Sequence, residues 1–478
     1  MGALIFLKES TGGKLMNLCK DEDIIAALGT PLGEGAIAIV RLSGKGSLEL
    51  VGRVFKARRK SLDFLELPSH RMTLGLIVDL KGRVLDEVLV CPMRAPYTYT
   101  REDVVEIYCH GGILAVRRVL ELILSLGARL AEPGEFTKRA FVNGRIDLAQ
   151  AEAVLDIIRA RSQMGMDLAL KQLSGGLSSV VASLREDLKG ILAEVEAEID
   201  FPEDVEAQDK DAIINKIKSI IEKIDSFLGS AEAGRVYREG LATVLIGKPN
   251  VGKSTLLNQI IGEQRAIVTD IPGTTRDIIE EVVNVNGIPL RLIDTAGIRE
   301  EAGPVEKLGI ERTKDAVERA DIIIAIFDTT SPLLEDDRLV LENLRGKPSI
   351  ILINKIDMQE RRLEKSELED LVGNIPIIEI SARYGWGIEE LKTALVEIVG
   401  AKKVTGEAVM ITRARHKAAL ERTRESLSNA IKAIEAGFPA DCIAVDLWDA
   451  WTSLGEITGD NINEEIIDHI FEDFCIGK

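Results

Sequence analysis

The chain has 478 residues, 46% hydrophobic and 29% charged, with a formal net charge of −18. Such a length predicts roughly two to four domains, and the composition is that of a globular chain, not a disordered one. The acidic balance argues against a surface coated for nucleic-acid binding, though not against one local basic patch. The five cysteines include no CxxC pair and the four histidines are scattered, which disfavours both a zinc site and a disulfide framework and fits a reducing cytosol.

No run approaches the roughly 18 apolar residues of a membrane span, so no membrane association is expected. The opening MGALIFLKES has a short apolar stretch without a cleavage site, and Phe6 stands where a myristoylation signal needs Ser or Thr. A second start at Met16 makes residues 1–15 a candidate leader. Residues 16–135 read as an α/β domain. AIAIVRLSG and VVEIY have strand patterns, and Gly111-Gly112 precedes a helical pattern running to about Leu126. From about Phe136 the pattern turns helical. Leu177, Val181, Leu184, Leu188, Ile191, Val195 and Ile199 are spaced three or four apart, one stripe of a long helix that Phe201-Pro202 ends. A second helix covers about 211–228, and Gly229 and Gly234 are read as a boundary.

Beyond that, strands alternate with helices. TVLIG, RLID, IIIAIF, SIILIN and IIEIS are apolar runs, and Asn286-Gly287 between VVNV and IPLRLI is a hairpin signal. This predicts a mostly parallel sheet covered on both faces over residues 240–398. After about Gly400 the chain is helical again. The organisation expected is therefore multidomain α/β plus all-α. A Ras-like P-loop domain (240–398) is inserted into a helical domain made of residues 136–239 and 399–478, whose apolar stripes pack on one another.

The inserted domain carries the chemistry. Gly247-Lys248-Pro249-Asn250-Val251-Gly252-Lys253-Ser254 follows a strand and opens a helix, the context of a phosphate loop. Its backbone N–H groups and helix N-terminus favour phosphate. Lys253 should reach the β and γ oxygens, and Ser254 should ligate Mg²⁺. Asp294-Thr295-Ala296-Gly297 ends a strand, placing a carboxylate near the magnesium and a flexible N–H near the γ-phosphate. Asn354-Lys355-Ile356-Asp357 follows SIILIN, and the Asp357 carboxylate can accept from guanine N1–H and its exocyclic amine while rejecting adenine. Ser381-Ala382-Arg383 can close the base pocket. Gly273-Thr274-Thr275-Arg276-Asp277 is a candidate switch loop, in which a Thr hydroxyl completes the magnesium shell. Ile298 occupies the place after DTAG where Ras-like proteins carry a water-orienting Gln, so catalytic help must come from elsewhere.

The set GKPNVGKS, DIPGTTRD, DTAGIRE, NKID and SAR, with a terminal FCIGK, resembles the MnmE (TrmE) family of bacterial tRNA-modification GTPases. TPLGEGAIAIVRLSG, YTREDVVEIYCHGG and PGEFTKRAFVNGRIDLAQAEA extend the resemblance from about residue 20 to the end, and these terminal pieces make it specific. The resemblance implies a tetrahydrofolate-binding N-terminal domain, a central helical domain and an inserted G domain. It implies a cytoplasmic homodimer that works with a FAD-dependent MnmG-like partner in a heterotetramer. The complex modifies carbon 5 of the wobble uridine of certain tRNAs, adding an aminomethyl or carboxymethylaminomethyl group. The one-carbon unit comes from a 5-formyl or 5,10-methylene folate. An acidic chain is consistent with a partner that carries most of the tRNA contact.

By motif, the resemblance implies GTP contacts at Asn250, Val251, Gly252, Lys253, Ser254 and Thr255, and at Thr269, Asp270, Ile271, Pro272, Gly273, Thr274 and Thr275. It implies further contacts at Asp294, Thr295, Ala296, Gly297, Asn354, Lys355, Asp357, Ser381, Ala382 and Arg383, with Mg²⁺ on Ser254 and Thr275. Folate contacts fall on Arg41, Glu106, Arg145 and Lys478; Arg145 stands where the family usually has Lys, and its planar fork is not equivalent to an ammonium. Cys475 sits four residues from the end, but Ile-Gly-Lys does not suit prenylation. It reads either as a functional, catalytic Cys beside the folate site or as a small buried hydrophobe.

With neither a Gln at position 298 nor an Arg inside the phosphate loop, the charge on the transferring phosphoryl group needs another partner. A K⁺ ion can occupy the place of an arginine finger, and Asn250 offers a carbonyl ligand for it at the phosphates. The resemblance adds Thr269, Ile271 and Thr274 as further K⁺ ligands, and Glu306 as the residue that positions the attacking water. Hydrolysis is thus expected to need K⁺ and pairing of two G domains. Two rival functions use the same G domain. One is a ribosome-assembly or translation switch, which needs no folate pocket. The other is a nucleotide-gated scaffold, whose loss would leave tRNA modification intact.

Overall fold

The computed structural model describes residues 23–59, 62–201, 209–263, 281–293, 315–398 and 409–478. The N-terminal part contains β1 (Ile25–Leu28), β2 (Gly35–Ser43), α1 (Ser47–Gly52), β3 (Phe55–Ala57), β4 (Thr73–Val78), β5 (Val84–Met93), β6 (Val104–Gly111), α2 (Ile113–Ser125) and β7 (Arg129–Leu130). Its sheet has the order β3-β4-β5-β6-β2-β1-β7 and is antiparallel except where β7 joins β1. Alternation along the strands sends Val40 and Leu42 of β2 and Val105 and Ile107 of β6 into one core with Val119 and Ile123 of α2. It leaves Arg41 and Glu106, which are register partners, on the other face.

The chain then turns helical through α3 (Glu135–Val142), α4 (Leu148–Arg159), α5 (Gln163–Leu173), α6 (Gly176–Asp200), α7 (Lys210–Leu228) and α8 (Ala231–Glu239). The α6 stripe behaves as its spacing predicts. Leu177, Val181, Leu184, Leu188, Ile191 and Val195 are buried, and Ile199 packs at the margin. The same core holds Leu420, Leu427, Leu447 and Leu454, which come from helices more than 200 residues further on. These are α13 (Ala414–Glu435) and α14 (Ala440–Thr458), and α15 (Glu464–Glu472) follows them.

The nucleotide domain lies between the two helical halves. It comprises β8 (Leu241–Ile246), α9 (Lys253–Glu263), β9 (Glu281–Val285), β10 (Ile288–Leu292), β11 (Ile322–Asp328), α10 (Glu335–Glu342), β12 (Ser349–Asn354), α11 (Lys365–Val372), β13 (Ile377–Glu379) and α12 (Ile388–Ile398). The sheet order is β13-β12-β11-β8-β10-β9, parallel except for the β9–β10 hairpin, which turns at Asn286-Gly287. β8 and β12 are buried at every position, which is why they read as unbroken apolar runs. Separate apolar cores cover the two faces.

One reading of the sequence is corrected. Gly234 marks no boundary. It lies inside α8, which runs on to Glu239. A Cβ at Gly234 would lie 2.2 Å from the Ile411 carbonyl oxygen, so the glycine serves close packing between the entry helix and the returning chain. Among the described residues no helix is long and apolar enough to cross a membrane.

Candidate functional site

The first site lies at the C-terminal ends of β8, β12 and β13, where parallel sheets present their ligand-binding loops. β8 ends at Ile246 and α9 starts at Lys253, so the loop between them meets a helix N-terminus. Asn250 is exposed with φ 62, Val251 is buried, Gly252 and Ser254 are half-buried, and Thr255 is exposed. Lys253 donates to the carbonyl oxygens of Gly247 at 2.6 Å and Lys248 at 2.8 Å, and burial pushes its pKa down. Phosphate oxygens are stronger partners for an ammonium than neutral carbonyls, so this side chain is poised to exchange one set for the other.

Asn354, at the end of β12 and 3% exposed, ties the loops together. Its amide donates to the Val251 carbonyl at 2.7 Å and its oxygen accepts from the Ala382 N–H at 2.9 Å. Lys355, at φ 68, pairs with Asp328 at the end of β11 at 2.6 Å. Burial works against the Asp328 carboxylate, but bonds from Lys355 and Thr330 outweigh it and hold its pKa below the ordinary value. The Asp357 carboxylate accepts the Ser381 hydroxyl at 2.6 Å. Ser381 and Ala382 are buried, while Arg383 is exposed with its guanidinium 5.5 Å from the Tyr384 ring centroid.

The expected contacts Thr269, Asp270, Ile271, Pro272, Gly273, Thr274, Thr275, Asp294, Thr295, Ala296 and Gly297, and Glu306, lie outside the described residues.

The second site forms where the C-terminal tail meets the first sheet. Arg41 Nε and Nη2 donate to Glu106 Oε1 at 2.9 and 2.8 Å, and Nη1 donates to the Gly477 carbonyl at 3.2 Å. Two aromatic rings flank this guanidinium, Tyr99 at 5.8 Å and Phe136 at 5.7 Å, and Arg145 approaches the Tyr99 ring to 4.6 Å. The second oxygen of Glu106 accepts from the Tyr108 hydroxyl at 2.7 Å. Burial, and then the Glu106 carboxylate, push the Tyr108 phenol up to about 12. Cys91, the register partner of Glu106 on β5, has its thiol pKa raised by burial and by the same carboxylate.

The terminal tail completes this site. Phe474 is buried, Ile476 bridges Pro133, and the Phe136 N–H donates to the Lys478 carbonyl at 3.2 Å. Gly477 has φ 95, and a Cβ there would lie 2.2 Å from the Leu28 carbonyl oxygen, so only glycine lets the tail lie this close to β1. Lys478 is half-buried beside this seam. Cys475 is exposed, so the reading of it as a small buried hydrophobe does not hold.

The structure thus brings Arg41, Glu106, Arg145 and Lys478 to one place. Tyr99, Phe136, Tyr108 and Gly477 belong to the same surroundings and were not singled out from the sequence. All four fall within the quoted motifs, so their signal was present, but an aromatic residue or a glycine there reads equally as core or turn.

The comparisons with known proteins match nearly the whole chain. The model of the GTP-binding protein TrmE N-terminus matches residues 24–145, and that of the MnmE helical domain matches residues 148–475. The chain is 50% identical over 462 residues to the tRNA modification GTPase MnmE of Alkaliphilus oremlandii, covering 96% of this chain and 99% of that one. It is 51% identical to the protein of the same description from Moorella thermoacetica, with 96% and 100% covered. For that of Geobacillus kaustophilus the identity is 48%, with 95% and 99% covered.

Proposed function

Because this chain belongs to the MnmE family of tRNA-modification GTPases, we propose that its GTP hydrolysis is K⁺-dependent and serves modification of wobble uridine at carbon 5 with a folate one-carbon unit. In this reading a cytoplasmic homodimer acts with a FAD-dependent MnmG-like partner in a heterotetramer on certain tRNAs. The group added is aminomethyl or carboxymethylaminomethyl. The observation that carries the reading is the meeting of Arg41, Glu106, Arg145 and Lys478 around two aromatic rings. A plain GTP-driven switch has no use for such a pocket.

At the nucleotide site, Asp357 selects guanine, and Lys253 with the α9 N-terminus neutralises phosphate charge. Asn354 keeps the phosphate loop and the Ser381-Ala382-Arg383 loop at a fixed separation, so base and phosphates are read together. Ser254, with Thr275, would hold Mg²⁺, which offsets charge on the β and γ oxygens. Asn250, with Thr269, Ile271 and Thr274, would hold K⁺. The exposed Asn250 at the loop crest fits such a ligand, since a side-chain carbonyl is a hard oxygen donor. Glu306 positions the attacking water.

At the terminal pocket, cations, one carboxylate and two rings suit a flat heterocycle that presents N–H donors and carries carboxylates. Glu106 would accept from the pterin N–H groups, while Arg41, Arg145 and Lys478 pair with carboxylates or the polar ring edge. Bound tetrahydrofolate supplies the one-carbon unit. Cys475, exposed on the tail, is the candidate catalytic thiol at this pocket. Calorimetry of the full chain with 5-formyltetrahydrofolate tests the pocket. Saturable binding is expected, and no heat at high micromolar ligand contradicts the folate reading.

A further inference from the structure

One helix reaches from the terminal pocket to the two chain segments that flank the nucleotide domain. α4 begins at its N-cap Asp147, two residues after Arg145, and runs for 12 residues, about 18 Å at the helical rise. Asp147 and Gln150 close a reciprocal capping box, so the N-terminal turn is fastened to the helix it starts. Further along, α4 carries Glu152 near its middle and Asp156 in its far half, with side chains 2% and 10% exposed.

Both chain crossings of the nucleotide domain end on these carboxylates. Arg238, in the last turn of α8 just before β8, donates from Nε to Asp156 Oδ1 at 3.0 Å and from Nη1 to the Thr412 carbonyl at 3.3 Å. Arg413, the N-cap residue of α13 on the returning chain, donates to the same Asp156 oxygen at 2.7 Å and to the Glu152 carbonyl at 3.2 Å. Entry and exit therefore meet on a single oxygen atom, with Gly234 and the Ile411 backbone in close contact beside them. Next to this clamp, Glu152 accepts from Arg415 at 2.9 Å and contacts the fully buried His416 at 2.8 Å. Close-packed charged contacts of this kind do not stretch smoothly. A shift of either root must break a bond or carry the helix with it.

We propose that Asp156 is a positioning residue that couples the nucleotide domain to the terminal pocket through α4. A change of nucleotide alters how the two roots share Asp156, α4 moves as a unit, and Arg145 shifts relative to Tyr99 and Arg41. Affinity for the folate then depends on which nucleotide is bound, and by linkage nucleotide affinity depends on the folate by the same factor. This rests on the folate reading given above.

The test uses the full-length protein in Mg²⁺ and K⁺. Affinity for 5-formyltetrahydrofolate is measured by calorimetry with saturating GDP and with a non-hydrolysable GTP analogue. In the wild type the two affinities should differ by at least about fivefold. Asp156→Ala should bring the ratio to within about twofold of one, while folate affinity in the GDP state stays close to the wild-type value. A general loss of fold would not produce that split. Arg238→Gln leaves Arg413 on Asp156 and should also reduce the ratio, which keeps the test decisive if Asp156→Ala does not fold. A wild-type ratio of one overturns the proposal, and so does an undiminished ratio in a folded variant. No folate binding in any state instead removes the folate reading, and the proposal with it.

Discussion

Asp357 is held by one strong contact, the Ser381 hydroxyl on its carboxylate. An ionised carboxylate only accepts hydrogen bonds, and it has capacity left for two donors from guanine. Asp357→Asn substitutes an amide that also donates. The preference should then invert toward xanthosine triphosphate, on the order of 10²-fold or more in relative kcat/KM. Unchanged preference for GTP over XTP in that variant would refute the base-pocket assignment. Gly477 makes the matching argument at the other site. Its positive φ and the 2.2 Å approach to the Leu28 carbonyl leave no room for a methyl group. Gly477→Ala should lift the tail, withdraw Lys478 and weaken 5-formyltetrahydrofolate binding by about tenfold or more, the cost of roughly one charge-assisted hydrogen bond. Equal affinity by calorimetry would show that the tail does not build the pocket. Motif residues such as Lys253, Asn354 and Asp357 were legible because their chemistry needs those residue types in that order. Tyr99 and Phe136 were not, because an aromatic ring reads the same whether it lines a pocket or fills a core.

Elements with strong periodicity or full burial were legible for a physical reason. The α6 stripe and the apolar runs of β8, β11 and β12 each have a partner on every apolar surface. The short strands β1, β3 and β7 have 4, 3 and 2 residues, too few to show a period. β4 and β5 mix exposed and buried positions irregularly. Gly234 misled because a glycine inside a helix looks like an ending unless its packing partner, 177 residues later in sequence, is known. At this scale the central helix makes a stability prediction. Leu188 is fully buried between the two helical halves. Leu188→Ala should cost about 2–5 kcal/mol from lost burial and a residual cavity. Urea unfolding followed by circular dichroism measures it, and a cost under about 1 kcal/mol would mean that the two halves are not packed as one core.

At the scale of the whole molecule, the helical domain is built from segments on both sides of the nucleotide domain, and the terminal tail returns to the first sheet across 436 residues. Such long-range closure leaves little local trace. The tail motif drew attention through its resemblance, not through any pattern of its own. The nucleotide domain lacks a Gln at Ile298 and an Arg in its phosphate loop. An arginine finger is worth about 10³–10⁵ in rate, so a substitute of comparable effect is required. GTP turnover should therefore be much faster in KCl than in NaCl at matched ionic strength, and Asn250→Ala should lose that difference. Glu306→Ala should be slow in both salts. Equal wild-type rates in the two salts would end the potassium assignment, and a fully active Glu306→Ala would end the water-positioning role. The central claim joins both sites to one outcome on tRNA, and it is tested most directly by mass spectrometry of wobble uridines in tRNA from cells that lack this protein. The account predicts loss of the aminomethyl-type group at carbon 5 and its return when the full chain is restored. Wobble uridines that remain fully modified in the deleted cells would contradict it.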